Sequence, residues 1–185
     1  MQRRRAKRLP AGAEPEPATP LTPDQIRRRI FDHAVKLLAA KSRSVAELRE
    51  RLLERRYANK AIVETVIERL REYGYLDDQR YAFGYASLKV RQRPVGRARL
   101  ERDLKFKQVT SDVAAEALDQ VFEETSEAEL LDRALEKRLR LRGQPKTRAA
   151  AKSLFDHLLR LGFPYELVSE KVRAAMHVEL DEDQS

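Results

Sequence analysis

The 185-residue chain contains no cysteine and no tryptophan, and the signatures of several protein classes are missing with them. Without cysteine, disulfide frameworks and thiolate metal sites are excluded, which fits a reducing compartment. The three histidines, His33, His157 and His177, are scattered and lack the spacing of metal ligands. Because no glycine-rich phosphate loop and no Ser/His/Asp set occur, we expect neither an enzyme nor a bound cofactor or metal.

Long apolar runs are also missing. No segment approaches the roughly 20 apolar residues that a membrane span needs. The N-terminus is basic but has no apolar stretch behind it, so it does not read as a secretory signal. We therefore expect a soluble, cytoplasmic protein that makes no contact with a membrane.

Charge is abundant and unbalanced, since 37% of the residues are charged and the formal net charge is +8. Such a surplus favours anionic partners, nucleic acid above all, although a soluble helical surface explains it equally well. Residues 1–21 combine arginines with prolines, and we expect a flexible basic tail there. That tail is either inert or a non-specific contact with phosphates. An acidic tail is expected at 178–185.

Helix-start and helix-stop signals recur along the rest of the chain, whereas period-2 strand patterns are missing. Capping boxes begin at Thr22, Ser44 and Ser126, and glycines at expected helix ends are Gly74, Gly143 and Gly162. The signals predict an all-α protein. Its nine expected helices are 23–40, 45–56, 60–73, 78–92, 97–107, 111–124, 127–142, 146–161 and 164–176.

The apolar positions form an internal repeat that needs no gap. The three copies are Leu48, Leu52, Tyr57, Ile62, Val66, Leu70; then Leu100, Leu104, Val109, Ala114, Leu118, Phe122; then Leu154, Leu158, Phe163, Val168, Val172, Met176. Each copy describes a helix-turn-helix-like hairpin, and a longer helix precedes it. We therefore predict three tandem three-helix repeats at 22–74, 77–124 and 126–177. They should stack into an elongated, curved, monomeric array with a long surface that suits a polymer.

Basic residues gather in two stretches, 89–107 and 133–152, that contain few acids. The candidate contacts for a filament or nucleic acid are Arg91, Arg93, Arg97, Arg99, Arg102 and Lys105, together with Arg138, Arg140, Arg142, Lys146, Arg148 and Lys152. Such clusters can neutralise phosphates or meet an acidic protein surface. Charge runs are more often solvated helix faces, but two runs of one sign favour binding.

Residues 110–132 contain eight acids and no base. Asp112, Glu116, Asp119 and Glu123 have the spacing of one helix face, where like charges repel each other unless they are screened. This helix cannot lie against DNA phosphates, but it suits a basic protein surface. The alternation of sign therefore favours a partner that contains both protein and nucleic acid.

One motif is similar to a known family. The stretch Gly74-Tyr75-Leu76-Asp77-Asp78-Gln79-Arg80-Tyr81-Ala82 resembles the signature of the RecX family, as do the segments 43–48 and 96–104. The resemblance covers roughly residues 24–177. The chain departs from the family where Arg55-Arg56 precedes Tyr57, since Lys-Gly is common there, and the first turn is expected to differ.

We expect the residues of this motif to have mainly structural roles. We expect Tyr75, Leu76, Tyr81 and Ala82 to wedge the first repeat against the second. The aspartates Asp77 and Asp78 should cap the following helix. Arg80 either pairs with Asp77 or points outward to a ligand, and pairing is favoured.

The resemblance implies three tandem three-helix repeats that dock into the groove of the RecA–DNA filament. It also implies regulation, most often inhibition, of filament growth and of the ATPase, recombinase and coprotease activities. A free-standing DNA-binding protein is the alternative, and it should carry basic residues at the start of each second hairpin helix. Lys60 fits that pattern, whereas Asp112 and Glu166 do not. A purely structural scaffold is a third possibility.

Overall fold

The structure, a computed structural model, describes residues 21–182, with side chains as far as Met176. Within this range it contains nine α-helices and no strand, which confirms the all-α prediction. The helices are α1 (Pro23–Ala40), α2 (Val45–Leu53), α3 (Lys60–Glu72), α4 (Asp78–Gln92), α5 (Arg97–Phe106), α6 (Ser111–Glu124), α7 (Glu127–Arg142), α8 (Arg148–Arg160) and α9 (Tyr165–Glu182).

Three helix ends differ from the sequence-based prediction by more than one residue. The first hairpin helix, α2, ends at Leu53 rather than 56, because the chain must turn before Tyr57, which has a φ of 66°. Helix α8 begins after Thr147, whose hydroxyl accepts a hydrogen bond from the backbone N–H of Ala150. Helix α9 continues to Glu182, since no glycine or proline follows Met176 to stop it.

The segments predicted as tails are only partly visible. Of the basic tail at 1–21, residues 1–20 lie outside the described part of the chain. The acidic segment 178–185 belongs to α9 as far as Glu182, and its last three residues are not described.

The helices pack in three groups along the chain. Helices α1, α2 and α3 contact one another, α4 and α5 pack on α6, and α7, α8 and α9 contact one another. The leucines of the internal repeat face inward in every group, and all eight are buried. Among the other repeat positions, Tyr57 and Met176 are exposed, and Ile62 and Phe122 are only partly buried.

The buried side chains form two hydrophobic cores within the described residues. The first core comprises α1–α3 together with Leu76. The second runs without interruption from Tyr81 in α4 to Val172 in α9. Helices α4–α9 therefore form one packed body, and the first three-helix group has a core of its own.

Candidate nucleoprotein interface

The first basic stretch covers the end of α4, the following loop and α5. Arg91, Arg93, Arg102 and Lys105 are exposed, and no described carboxylate lies within ion-pair distance of any of them. The guanidinium of Arg91 donates to the Ser87 carbonyl at 3.2 Å. That of Arg102 donates to the Ala98 carbonyl at 3.1 Å. Their remaining donors face solvent, so these four cations can contact an anionic partner.

Arg97 and Arg99 belong to the fold instead. The Nη2 atom of Arg97 lies 2.7 Å from Oδ1 of Asp119, which joins α5 to α6. Arg99 contacts Asp103 at 3.0 Å, and the same carboxylate accepts a hydrogen bond from the Tyr85 hydroxyl. Reversing these two charges would disturb the packing of α5, so they are poor probes of binding. Asp119 lies outside the stretch, so its pairing with Arg97 was not evident from the charge count, whereas Asp103 is one of the few acids within it.

A large apolar side chain lies beside the free cations of α5. Phe106 is 83% exposed, although it is preceded by the fully buried Leu104 on the same helix. Arg102 precedes Lys105 by three residues and Phe106 by four. The three side chains therefore share one side of the end of α5. Phe106 was not among the predicted contacts, because those residues were chosen by their charge alone. The available signal was that this phenylalanine lies off the Leu100–Leu104 stripe.

The second basic stretch covers α7, the α7–α8 loop and the start of α8. Arg138 and Arg142 line a pocket of about 200 Å³ with Gly143 and Pro145, and no acid lines it. Burial lowers the pKa of His157, and the nearby charges of Arg138 and Arg160 lower it further. Burial is therefore the main reason why a protonated His157 is disfavoured, and the two arginines act in the same direction.

The remaining candidates of this stretch lie on exposed positions. Arg140 is exposed on α7, and Lys146, Arg148 and Lys152 are exposed at the start of α8. Lys146 also has an interaction within the chain. Arg148 and Lys152 line an open cleft of about 650 Å³ that contains Phe155, Val172 and Arg173.

The first basic stretch adjoins the end of α8, whereas Arg148 and Lys152 of the second basic stretch lie at its start. The backbone N–H of Gly96, just before α5, donates to the carbonyl of Leu161 at the end of α8 at 2.9 Å. Since α8 has 13 residues, its other end lies roughly 18 Å away at 1.5 Å per residue. A partner that contacts both stretches must therefore span a distance of this order.

The acidic stretch is partly neutralised inside the protein. Asp119 pairs with Arg97, and Asp132 pairs with Lys171 at 2.7 Å. Glu116 accepts a hydrogen bond from the side chain of Gln79 at 3.0 Å. Only part of the predicted acidic stripe on α6 thus remains to face a basic partner. Sequence alone did not reveal this, because the neutralising groups are distant along the chain.

The family-like motif connects the first three-helix group to α4. The carboxylate of Asp77 caps α4 by accepting from the backbone N–H of Arg80 at 3.0 Å, as predicted. Asp78 caps the neighbouring α2 rather than α4, since its carboxylate accepts from the Val45 N–H at 2.8 Å. The predicted pairing of the Arg80 guanidinium with Asp77 is wrong, because that guanidinium donates to the Gly74 carbonyl.

The apolar residues of the motif are divided between the two cores. Leu76 is buried in the first core, and Tyr81 and Ala82 are buried in the second. Tyr75 was expected to join this wedge, but its side chain is 59% exposed. Its ring lies against the edge of Tyr73, at 6.1 Å between centroids, because the turn after α3 directs it outward.

No metal site or membrane span is found in the described part of the chain. Residues 21–182 contain no cluster of three or more histidine and acidic side chains that is able to hold a metal ion. None of the helices there is long and apolar enough to cross a bilayer. The fold and surface define an all-α protein of packed three-helix groups with basic stretches that contain few acids.

Comparison with known proteins identifies the family. Residues 31–70 match the model of the first three-helix domain of RecX, and residues 77–118 match that of the second. The regulatory protein RecX of Prosthecochloris aestuarii is 31% identical over 80% of this chain and 93% of its own length. The chain belongs to the RecX family, whose members are regulatory proteins rather than enzymes.

Two further relatives extend the comparison. The regulatory protein RecX of Treponema pallidum is 42% identical over 60% of this chain, and the alignment spans 66% of that relative, just under two thirds. The crystal structure of RecX from Lactobacillus salivarius superimposes with a TM-score of 0.71 at 17% identity. It covers 84% of this chain and 99% of that structure, so the two share the fold.

Proposed function

We propose that the chain binds the filament that RecA recombinase forms on DNA and restrains its growth, with its ATPase, recombinase and coprotease activities. Membership of the RecX family supports a regulatory role. The observation that carries the proposal is the α5 surface, defined as Arg102, Lys105 and Phe106. Its two unpaired cations suit phosphates or acidic side chains, and its exposed aromatic ring suits a pocket in a protein.

A free-standing DNA-binding protein is less consistent with the hairpins. Such a protein would present the start of α3, α6 or α9 to a groove of the duplex. Lys60 lies exposed at the start of α3, but exposed acids, Asp112 and Glu166, occupy the corresponding turns of α6 and α9. DNA contact is therefore proposed within the filament, with the basic stretches nearest the phosphates.

The proposal is tested by binding and activity on the same samples. The purified chain is titrated against single-stranded DNA, against recombinase alone and against recombinase filaments at matched salt, with filament ATPase followed in parallel. Tight binding to filaments alone, with reduced ATPase, is expected. Equal affinity for bare DNA, with unaltered ATPase, would instead identify a general nucleic-acid-binding protein.

The α5 surface can be tested by reversing its charges. The double variant Arg102→Glu, Lys105→Glu should weaken filament binding about ten-fold or more, because two attractions become repulsions. Circular dichroism should stay native, since neither side chain holds an ion pair in the fold.

The matched control reverses two exposed arginines of α1, Arg28→Glu and Arg29→Glu, and so changes the net charge equally. An equal loss in both double variants would show that only net charge matters and that the α5 surface is not a contact.

A further inference from the structure

The first three-helix group, α1–α3, is held to the rest of the protein by polar contacts. Its hydrophobic core ends at Leu76 and does not merge with the core of α4–α9. The contacts that cross between the two bodies are made by the first turns of α2, where Ser44 is a fully buried polar residue. We call this contact region the first junction.

The first junction joins α2 to the turn between α5 and α6. The Ser44 hydroxyl donates to the Lys107 carbonyl at 2.6 Å. The ammonium of Lys107 lies 2.7 Å from Oε1 of Glu47, and both side chains are about four-fifths buried. One helical turn further along α2, Glu50 accepts from the side chain of Gln108 at 2.6 Å. These contacts connect residues about 60 positions apart, so they hold this side of the junction together across a long stretch of chain.

The other side of the junction lies next to the covalent connection. The hydrogen bond from the Val45 N–H to Asp78 is formed only two residues after Leu76. The Tyr81 hydroxyl, one turn later on α4, donates to Glu47 at 3.3 Å. Residues 73–77 between α3 and α4 are not helical. Rotation about this connection can therefore preserve the Asp78 contact while it separates Glu47 from Lys107.

The corresponding junction between α4–α6 and α7–α9 has a similar helix-capping hydrogen bond, but its other contacts are backbone and apolar contacts. The Arg97 N–H donates to the Glu127 carboxylate at 2.7 Å, as the Val45 N–H does to Asp78. The backbones then meet directly, since a Cβ atom on Gly96 would lie 2.3 Å from the carbonyl oxygen of Gly162. Buried Phe163 and Val95 belong to the continuous core around this second junction. Separating it would expose apolar surface, whereas separating the first junction exchanges polar partners for water.

We infer that α1–α3 moves as a rigid body about residues 73–77, and that the Glu47–Lys107 contact holds it against α4–α9. Opening removes few apolar contacts from the protein, so the equilibrium depends on a small number of side chains. This inference concerns motion within the free chain and stands whether or not the proposed partner is correct.

The test uses distance measurements between two spin labels, which the absence of native cysteine makes straightforward. One label pair, Ala61→Cys with Ala115→Cys, spans the first junction. The other, Ala115→Cys with Ala149→Cys, spans the second, and all three alanines are exposed. Each pair is measured in the otherwise native chain and in the variants Glu47→Gln and Lys107→Met, whose helical content is checked by circular dichroism.

Both variants should add a second, longer-distance population to the first label pair and leave the second pair unchanged. The control Glu64→Gln removes an ion pair of 2.7 Å with Arg49 inside the first group, and it should alter neither pair. Unchanged distances across the first junction in folded Lys107→Met would overturn the inference. Equal broadening of both label pairs would also overturn it, because it would indicate general loosening rather than a hinge.

Discussion

Glycine is required at the end of α8 for two physical reasons that coincide at Gly162. Its φ of 91° lies in the left-handed region, and a Cβ atom there would approach the backbone nitrogen of Arg99 to 2.2 Å. At the equivalent turns, Tyr57 and Gln108 adopt positive φ values with ordinary side chains. The left-handed conformation alone is therefore tolerated in this fold, and the close approach at the second junction is what demands glycine.

Gly162→Ala should therefore destabilise the protein by more than about 2 kcal/mol, since strain and a backbone clash act together. Gly84→Ala is the matched control, because Gly84 lies inside α4 with open space around it. There the change should stabilise by roughly 0.5–1 kcal/mol through helix propensity. Chemical denaturation of both variants measures the difference, and equal stabilities would refute the close contact.

Helices were the most predictable elements, because their signals are local. Thr22 and Ser44 form the predicted capping boxes, whereas Ser126 caps α7 through its own hydroxyl without the reciprocal bond from Glu129. Nine helices occur in the predicted order, although several of their ends are shifted.

The candidate site was less predictable, since the ion pair between Arg97 and Asp119 joins residues that are distant along the chain. Arg97 could be identified as structural only after Asp119 was found beside it. Charge counting likewise cannot reveal an exposed ring such as Phe106.

At the scale of a single element, acid should weaken the first junction through Glu47 of α2. Burial raises the pKa of Glu47, but the ammonium of Lys107 and hydrogen bonds from Ser44 and Tyr81 outweigh it, so the pKa lies below its ordinary value of 4.5. A carboxylate with a lowered pKa stabilises the folded state above its ordinary pKa. That contribution disappears as the pH falls through the lowered value.

Glu47→Gln should thus reduce the melting temperature at neutral pH and have progressively less effect below the ordinary carboxylate pKa. Thermal melts of both proteins from about pH 7 to about pH 3 test this expectation. A difference that stays constant over the whole range would contradict it, because the charge of Glu47 would then contribute nothing.

At the scale of the molecule, the described residues form two hydrophobic cores rather than three, and this division should be visible in unfolding. Leu48→Ala removes a fully buried side chain from the first core, and Leu104→Ala does the same in the second. Each change should cost about 2–5 kcal/mol, but only in the body that contains it. Hydrogen exchange resolved by segment should show faster opening of α1–α3 in the first variant and of α4–α9 in the second. Uniform acceleration in both variants would mean that one cooperative unit includes all nine helices.

Also at this scale, the molecule has separate basic stretches and an exposed aromatic ring, Phe106. These features suit a partner that contains both protein and DNA phosphates. The most direct measurement of that claim is the affinity of Phe106→Ala for recombinase filaments and for the same single-stranded DNA without recombinase. The ring bears no charge and is 83% exposed, so its loss should weaken filament binding about ten-fold or more and leave weak DNA binding unchanged. Unaltered filament affinity, or an equal loss for bare DNA, would contradict the account.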